Sequence, residues 1–200
     1  MDVHEVRPGL WRWTAEHPEW DHAEQWGPEV ASVYAELPEA IVVVDPIVPA
    51  DDEERFWAAL DRDVERAGRP LHVLLTVHWH ERSVAAVLDR YHAQLWRPEE
   101  KSELPAGVHA ETVKGSDWTE ALFFLEPHAA LVSGDLVIGR DSGLELPIGW
   151  FPKDEREWAE RELKPDLRRR LGALPIQLVL PSHGEPVLEH AAAVLDAALS

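Results

Sequence analysis

Two hundred residues, 45% hydrophobic and 28% charged, suit a single globular domain spanning 1–200 with a full core. The formal charge of −19, from 38 acidic and 19 basic residues, argues against a nucleic-acid partner, and no apolar run approaches the ~18–20 residues of a membrane span. There is no cysteine, so any metal must be held by histidine and carboxylate.

The first residues, Met1-Asp2-Val3-His4-Glu5, carry neither a basic region nor an apolar core, and a cytoplasmic location is expected. Residues 9–14 alternate and read as a strand with Trp11 and Trp13 on one face. Residues 17–28 are polar, bear tryptophans and contain Pro18, Gly27 and Pro28, which predicts a loop. Strands follow at 30–36 and 40–44, the second ended by Asp45-Pro46. Asp51 or Asp52 caps a helix through about 67, with Phe56, Leu60 and Val64 on one stripe.

A short apolar strand at 71–75 then runs into His78-Trp79-His80-Glu81-Arg82 and a helix from 83 to about 92. If that segment is extended, residues i and i+2 point the same way and the two imidazoles converge. Two histidines alone are a weak metal signal. Strands are expected at 94–96, 107–113, 121–125 and 129–132, and a long loop with three glycines and two prolines at 139–152. A charged helix starting at Asp154 is interrupted at Pro165, a buried strand covers 176–180, and a terminal helix covers 186–199. Pattern alone gives α/β or α+β.

Four segments in order resemble the marks of the metallo-β-lactamase superfamily. Ile41-Val42-Val43-Val44-Asp45-Pro46 resembles its early strand ending in Asp, and the His78–Ser83 stretch its His-x-His-x-Asp-His signature. Ser133-Gly134-Asp135 resembles the segment whose Asp bridges two metals, and Pro181-Ser182-His183-Gly184 the late segment whose His is a ligand. The resemblance implies a four-layer αββα sandwich, a zinc or iron site, and hydrolysis of β-lactams, thioesters, lactones or phosphoesters.

Matched on its histidines, the signature keeps His78 and His80 but has Arg82 and Ser83 where the family has Asp-His; matched on Thr76, Val77 and Trp79 stand at the first two histidine positions. The family's middle histidine is missing from 114–119, with Asp117 the nearest substitute. His78, His80, Asp135 and His183 are therefore the candidate ligands of at most one zinc or iron ion. Asp45 is expected to support the turn before the cleft. Arg82 is expected to replace the second metal by pairing with Asp135, and Trp79, Asp117, Trp118 and Trp150 are expected to line a pocket.

The reading is a hydrolase-like protein with a degraded metal site and a small-molecule substrate. The alternative is a metal-free relative whose cleft binds an organic ligand or a protein. Histidines 4, 17, 22, 92, 109, 128 and 190 are expected mostly at the surface.

Overall fold

Strands that read as unbroken apolar runs are covered on both faces in the computed structural model, which describes residues 2–100, 102–141 and 143–200. One sheet has six strands in chain order: β1 (Asp2–Arg7), β2 (Leu10–Glu16), β3 (Glu29–Glu36), β4 (Ile41–Val44), β5 (Leu71–Leu74) and β6 (Gln94–Trp96). Its first three pairings are antiparallel and the last two parallel. The parallel steps need crossovers, supplied by α1 (Glu53–Ala67) and α2 (Val84–Tyr91).

The second sheet uses β7 (Val108–Lys114), β8 (Thr119–Leu125) and β9 (Ala130–Ser133). A small hairpin, β10 (Ile138–Arg140) with β11 (Gly143–Glu145), follows. Then come α3 (Arg156–Trp158), a π turn (Ala159–Leu163) and α4 (Lys164–Leu171). Strand β12 (Leu178–Pro181) returns parallel to β9, giving the order β12-β9-β8-β7, and α5 (Ala191–Ala198) ends the chain.

The period-two rule separates three apolar layers. In β4, Val42 and Val44 face the space between the sheets while Ile41 and Val43 face α1 and α2. In β8, Ala121, Phe123 and Leu125 face the inner layer while Leu122 and Phe124 meet Leu163, Leu167 and Leu171 on the outer helices. The result is the four-layer αββα sandwich expected above.

The differences from the sequence reading are local. Strand β1 was not anticipated. The segment 139–152 is not one loop: it completes the β10–β11 hairpin and adds a 3₁₀ turn at Ile148–Trp150. The terminal helix begins at Ala191, five residues later than its first expected position, and neither Asp51 nor Asp52 caps α1 through its side chain. The interruption near Pro165 takes the form of the π turn, where the ladder already departs from i→i−4 spacing before the ring that cannot donate.

At one end the sheets are stitched together. The Ala121 N–H donates to Thr76 O at 2.8 Å, and the Ala31 N–H donates to Ser182 O at 2.7 Å. All the strand ends that carry chemistry meet there.

Candidate metal centre and its cleft

On the six-stranded side the organising residue is Asp45. It leaves β4 with φ 47°, a left-handed conformation that Asp tolerates better than most residues. Its Oδ1 accepts the Thr76 N–H at 2.9 Å, and its Oδ2 accepts the Thr76 hydroxyl at 2.6 Å and the His80 Nδ1–H at 2.8 Å. All three residues are buried. This fixes the His80 ring and leaves Nε2 facing across the sheet boundary.

What it faces is Asp135. Its Oδ1 lies 3.3 Å from His80 Nε2 and 3.1 Å from His183 Nε2. Neither ring N–H is aligned with it, so this oxygen is buried without a hydrogen-bond donor although 21% of the side chain is exposed. The other oxygen accepts Trp79 Nε1–H at 2.8 Å. Gly134 makes the approach possible: a Cβ there would stand 2.5 Å from Thr76 Oγ1. Glu120 holds the backbone, its Oε1 accepting the N–H groups of Asp135 and Leu136 at 2.9 Å each.

His183 is delivered by the turn after β12. Gly184 has φ 78°, and a Cβ on it would lie 2.2 Å from Gly139 O, so the late loop and the β10 hairpin touch backbone to backbone. The Gly139 N–H donates to His183 O at 2.8 Å. His183 Nδ1 is buried and has no partner.

Charge inside the cluster follows from its geometry. Burial and the nearby Arg82 cation push the His80 imidazole down, but Asp45 and Asp135 outweigh them and raise its pKa to about 9. Burial pushes Asp135 up, yet His80 and His183 hold it well below the usual carboxylate range. Burial, reinforced by Asp135, raises Glu120 well above that range. His183 is pushed down by burial, only partly countered by Asp135. His80, Asp135 and His183 are the group that could hold a metal ion among the described residues.

The expected ligands divide. His80, Asp135 and His183 converge; His78 does not. Residues His78–His80 form a 3₁₀ turn, not an extended segment. At about 120° per residue, positions i and i+2 diverge. The His78 side chain is 55% exposed, and its Nδ1 lies 3.8 Å from Glu99 Oε1. Asp117 is exposed and accepts from Ser116 Oγ, outside the cluster.

Arg82 also departs from expectation. It neither pairs with Asp135 nor points to solvent. Nη1 donates to Ala31 O at 3.2 Å and is 3.4 Å from Asp45 O, while Nη2 donates to Ser182 Oγ at 3.0 Å. The guanidinium is thus a clamp on β3, the Asp45 turn and the late loop, and its φ of 26° records the tight start of α2. Asp135 finds its positive neighbour in His80 instead, and its second oxygen is taken by the Trp79 indole.

Trp79, Asp117, Trp118 and Trp150 do line one cleft, of about 350 Å³, together with Glu120 and Asp135. The Trp118 Nε1–H donates to Glu155 at 2.8 Å. Trp150 stands edge-on to His183 with ring centroids 5.4 Å apart, and Trp26, from the loop after β2, flanks the same ring at 5.2 Å. Trp26 and Glu120 carried no assignment from sequence. The signal for Glu120 was a lone acid opening an otherwise apolar strand. Among the other histidines, His128 is buried, with Nε2 2.9 Å from Glu36 O.

No family model and no curated protein matches the sequence. Solved structures do. VMB-1 aligns over 99% of this chain and 94% of its own at 12% identity and a TM-score of 0.65. FIM-1 from Pseudomonas aeruginosa, in its mono-zinc form, covers the same shares at 13% identity and 0.62. DIM-1 metallo-β-lactamase aligns over 98% and 97% at 19% identity and 0.58. With the αββα layers and the placement of Asp45, Asp135 and His183 at the joined strand ends, these likenesses show that the chain has the metallo-β-lactamase fold.

Proposed function

We propose that this chain is a hydrolase-like protein that holds a single divalent metal, zinc by preference, through His80 Nε2, Asp135 Oδ1 and His183 Nε2. The observation that carries the reading is Asp135 Oδ1, a buried acceptor without an aligned donor between two imidazole nitrogens. Ligand atoms about 2.0 Å from a tetrahedral zinc stand about 3.3 Å apart, which matches both contacts. Three protein ligands are also the usual number at a zinc site that keeps one position open for chemistry.

A divalent ion there supplies Lewis acidity and makes hydroxide available at neutral pH. The chain's own residues do the rest. Asp45 fixes the His80 tautomer and aims Nε2, as a carboxylate behind a ligating histidine does. Glu120 fixes the Asp135 backbone, and Trp79 occupies Oδ2, so only Oδ1 is left to ligate. Trp26 and Trp150 keep the His183 ring in place and form apolar walls against which an organic acyl or ester group packs. The reaction class that fits is hydrolysis of an ester, thioester or lactone bond.

Zinc titration of chelator-treated protein by calorimetry tests the reading. One equivalent is expected, lost in Asp135→Asn, followed by hydrolysis in an ester, thioester and lactone screen. Two tight equivalents, or none, would refute it.

One observation favours a second reading, a metal-free cleft that binds a small molecule. His80, with its pKa raised to about 9, supplies a positive charge between Asp45 and Asp135 when protonated, beside the Arg82 cation. In that case the tryptophan walls serve binding alone.

A further inference from the structure

The spaces around the centre have an unusual balance of charge. Beside the cleft of about 350 Å³, a chamber of about 660 Å³ runs from Trp26, Trp150 and His183 toward β1, and a third of about 220 Å³ lies over His80 and Asp135. Carboxylates border them: Glu29 and Glu185 on the large chamber, Glu19 and Glu24 on the third, Asp117 on the cleft. All five residues are exposed.

The cations nearby are already committed. Arg12 is buried and donates to Gly184 O at 2.6 Å, and Arg140 pairs with Glu145 at 2.5 Å. The terminal Nη donors of Arg82 go to Ala31 O and Ser182 Oγ, while its Nε, like that of Arg12, is buried out of reach of the chambers. Burial and Arg82 both press the His17 imidazole toward its neutral form. Among the described residues, no lysine borders any of the three spaces.

Between the carboxylates stand half-buried Trp26 and Trp150 and the exposed Trp79. Indole faces attract cations through the ring quadrupole, best when the cation is clothed in carbon and cheap to desolvate. His183, 7% exposed, lines both of the chambers that Trp26 and Trp150 share.

We infer that the two chambers walled by Trp26 and Trp150, with the adjoining cleft, select organic cations: ligands or substrates carrying an ammonium group wrapped in apolar carbon, held between the tryptophan faces and the surrounding carboxylates. The inference deepens the proposed function by naming its substrate class, and it rests on that reading only in treating the cleft as a ligand site. The same field disfavours anionic compounds, which must approach a protein of charge −19 past the acidic rim.

The test is a binding titration of the full chain, followed by tryptophan fluorescence, with three probes of one shape: choline, its neutral carbon isostere 3,3-dimethylbutan-1-ol, and the anion 3,3-dimethylbutanoate. Choline should bind at least tenfold more tightly than the alcohol, and the anion most weakly. In Glu19→Gln/Glu24→Gln/Glu185→Gln, all surface changes, the preference should fall below threefold. Trp26→Leu should weaken choline more than the alcohol, with melting temperature reporting that each variant is folded.

Equal binding of choline and alcohol, tighter binding of the anion, saturable binding of none of the three, or a preference untouched by the triple variant would each overturn the inference. Zinc stoichiometry measured on the same protein separates the two claims. One zinc without cation preference sinks only this inference. A cation preference without zinc supports it and sinks the metal.

Discussion

The two carboxylates of the centre, one on each half, differ in how completely their oxygens are satisfied. On the six-stranded side, Asp45, Thr76 and His80 close a buried knot in which both carboxylate oxygens are partnered. On the four-stranded side, Asp135 Oδ1 and His183 Nδ1 are buried with no partner. An unmade hydrogen bond on a buried group costs about 1–3 kcal/mol. A fold tolerates that where something else supplies the interaction, so the first half is support and the second is where a ligand acts.

The comparison is broken most forcefully at Asp45. Asp45→Ala strands the Thr76 N–H, the Thr76 hydroxyl and His80 Nδ1 in the interior at once. It should lower stability by about 3–5 kcal/mol, as removing one member of a buried charged pair does. Asp135→Asn removes only one of the two carboxylates that hold His80 as a cation and strands no backbone donor, so it should cost less, about 1–2 kcal/mol, while abolishing zinc binding. Urea unfolding of the two variants side by side reads this directly. Equal losses would mean that the halves are not different in kind.

Titration sharpens the same contrast. In chelator-treated protein His80 has a folded pKa raised to about 9, against about 6.5 for an unfolded histidine. A raised pKa means stability that is fully present below about pH 6.5 and lost as pH rises through about 9, amounting to about 3 kcal/mol. Denaturation midpoints at pH 6 and pH 9.5 should therefore differ, with the protein weaker at the alkaline end. Bound zinc competes with the proton at Nε2, so the slope should flatten in excess zinc. A flat profile without zinc would show that His80 is not held as a cation between Asp45 and Asp135.

The strands flanking this centre were legible because they are buried on both faces: Ile41-Val42-Val43-Val44 and Leu178-Val179-Leu180 have no other reason to be unbroken apolar runs. Asp135 and His183 were legible because each follows such a strand directly, in Ser133-Gly134-Asp135 and Pro181-Ser182-His183, so the backbone delivers them to the strand ends. The His78–Arg82 turn was not. Whether that stretch is extended or 3₁₀ depends on contacts remote in sequence, chiefly Asp45 on His80 and Ala31 O and Ser182 Oγ on Arg82. Strand β1 escaped notice because its pattern is mostly exposed and polar; it is ordered by pairing with β2. Trp26 sits in a loop whose local sequence says only that it is irregular.

The finest test concerns the two histidines of that turn and His183 opposite them. His183→Ala removes one of three proposed ligands and should weaken zinc by at least about 100-fold, more than the 10–100-fold typical of losing a supporting residue behind a ligand. His78→Ala should do almost nothing. Its ring is half exposed, its acidic neighbour Glu99 stands at 3.8 Å, and exposed ion pairs contribute about 0–1 kcal/mol. Its indirect effect is through Trp79, whose ring lies edge-on to it at a centroid distance of 4.7 Å and whose indole N–H reaches Asp135 Oδ2. Losing that support should shift zinc affinity by less than threefold and unfolding by under about 0.5 kcal/mol. Calorimetry on the pair decides it. If His78→Ala cost as much zinc affinity as His183→Ala, the turn would have to unwind in solution to bring both of its histidines to the metal. The division between a finished half and an open half would then belong only to the metal-free state.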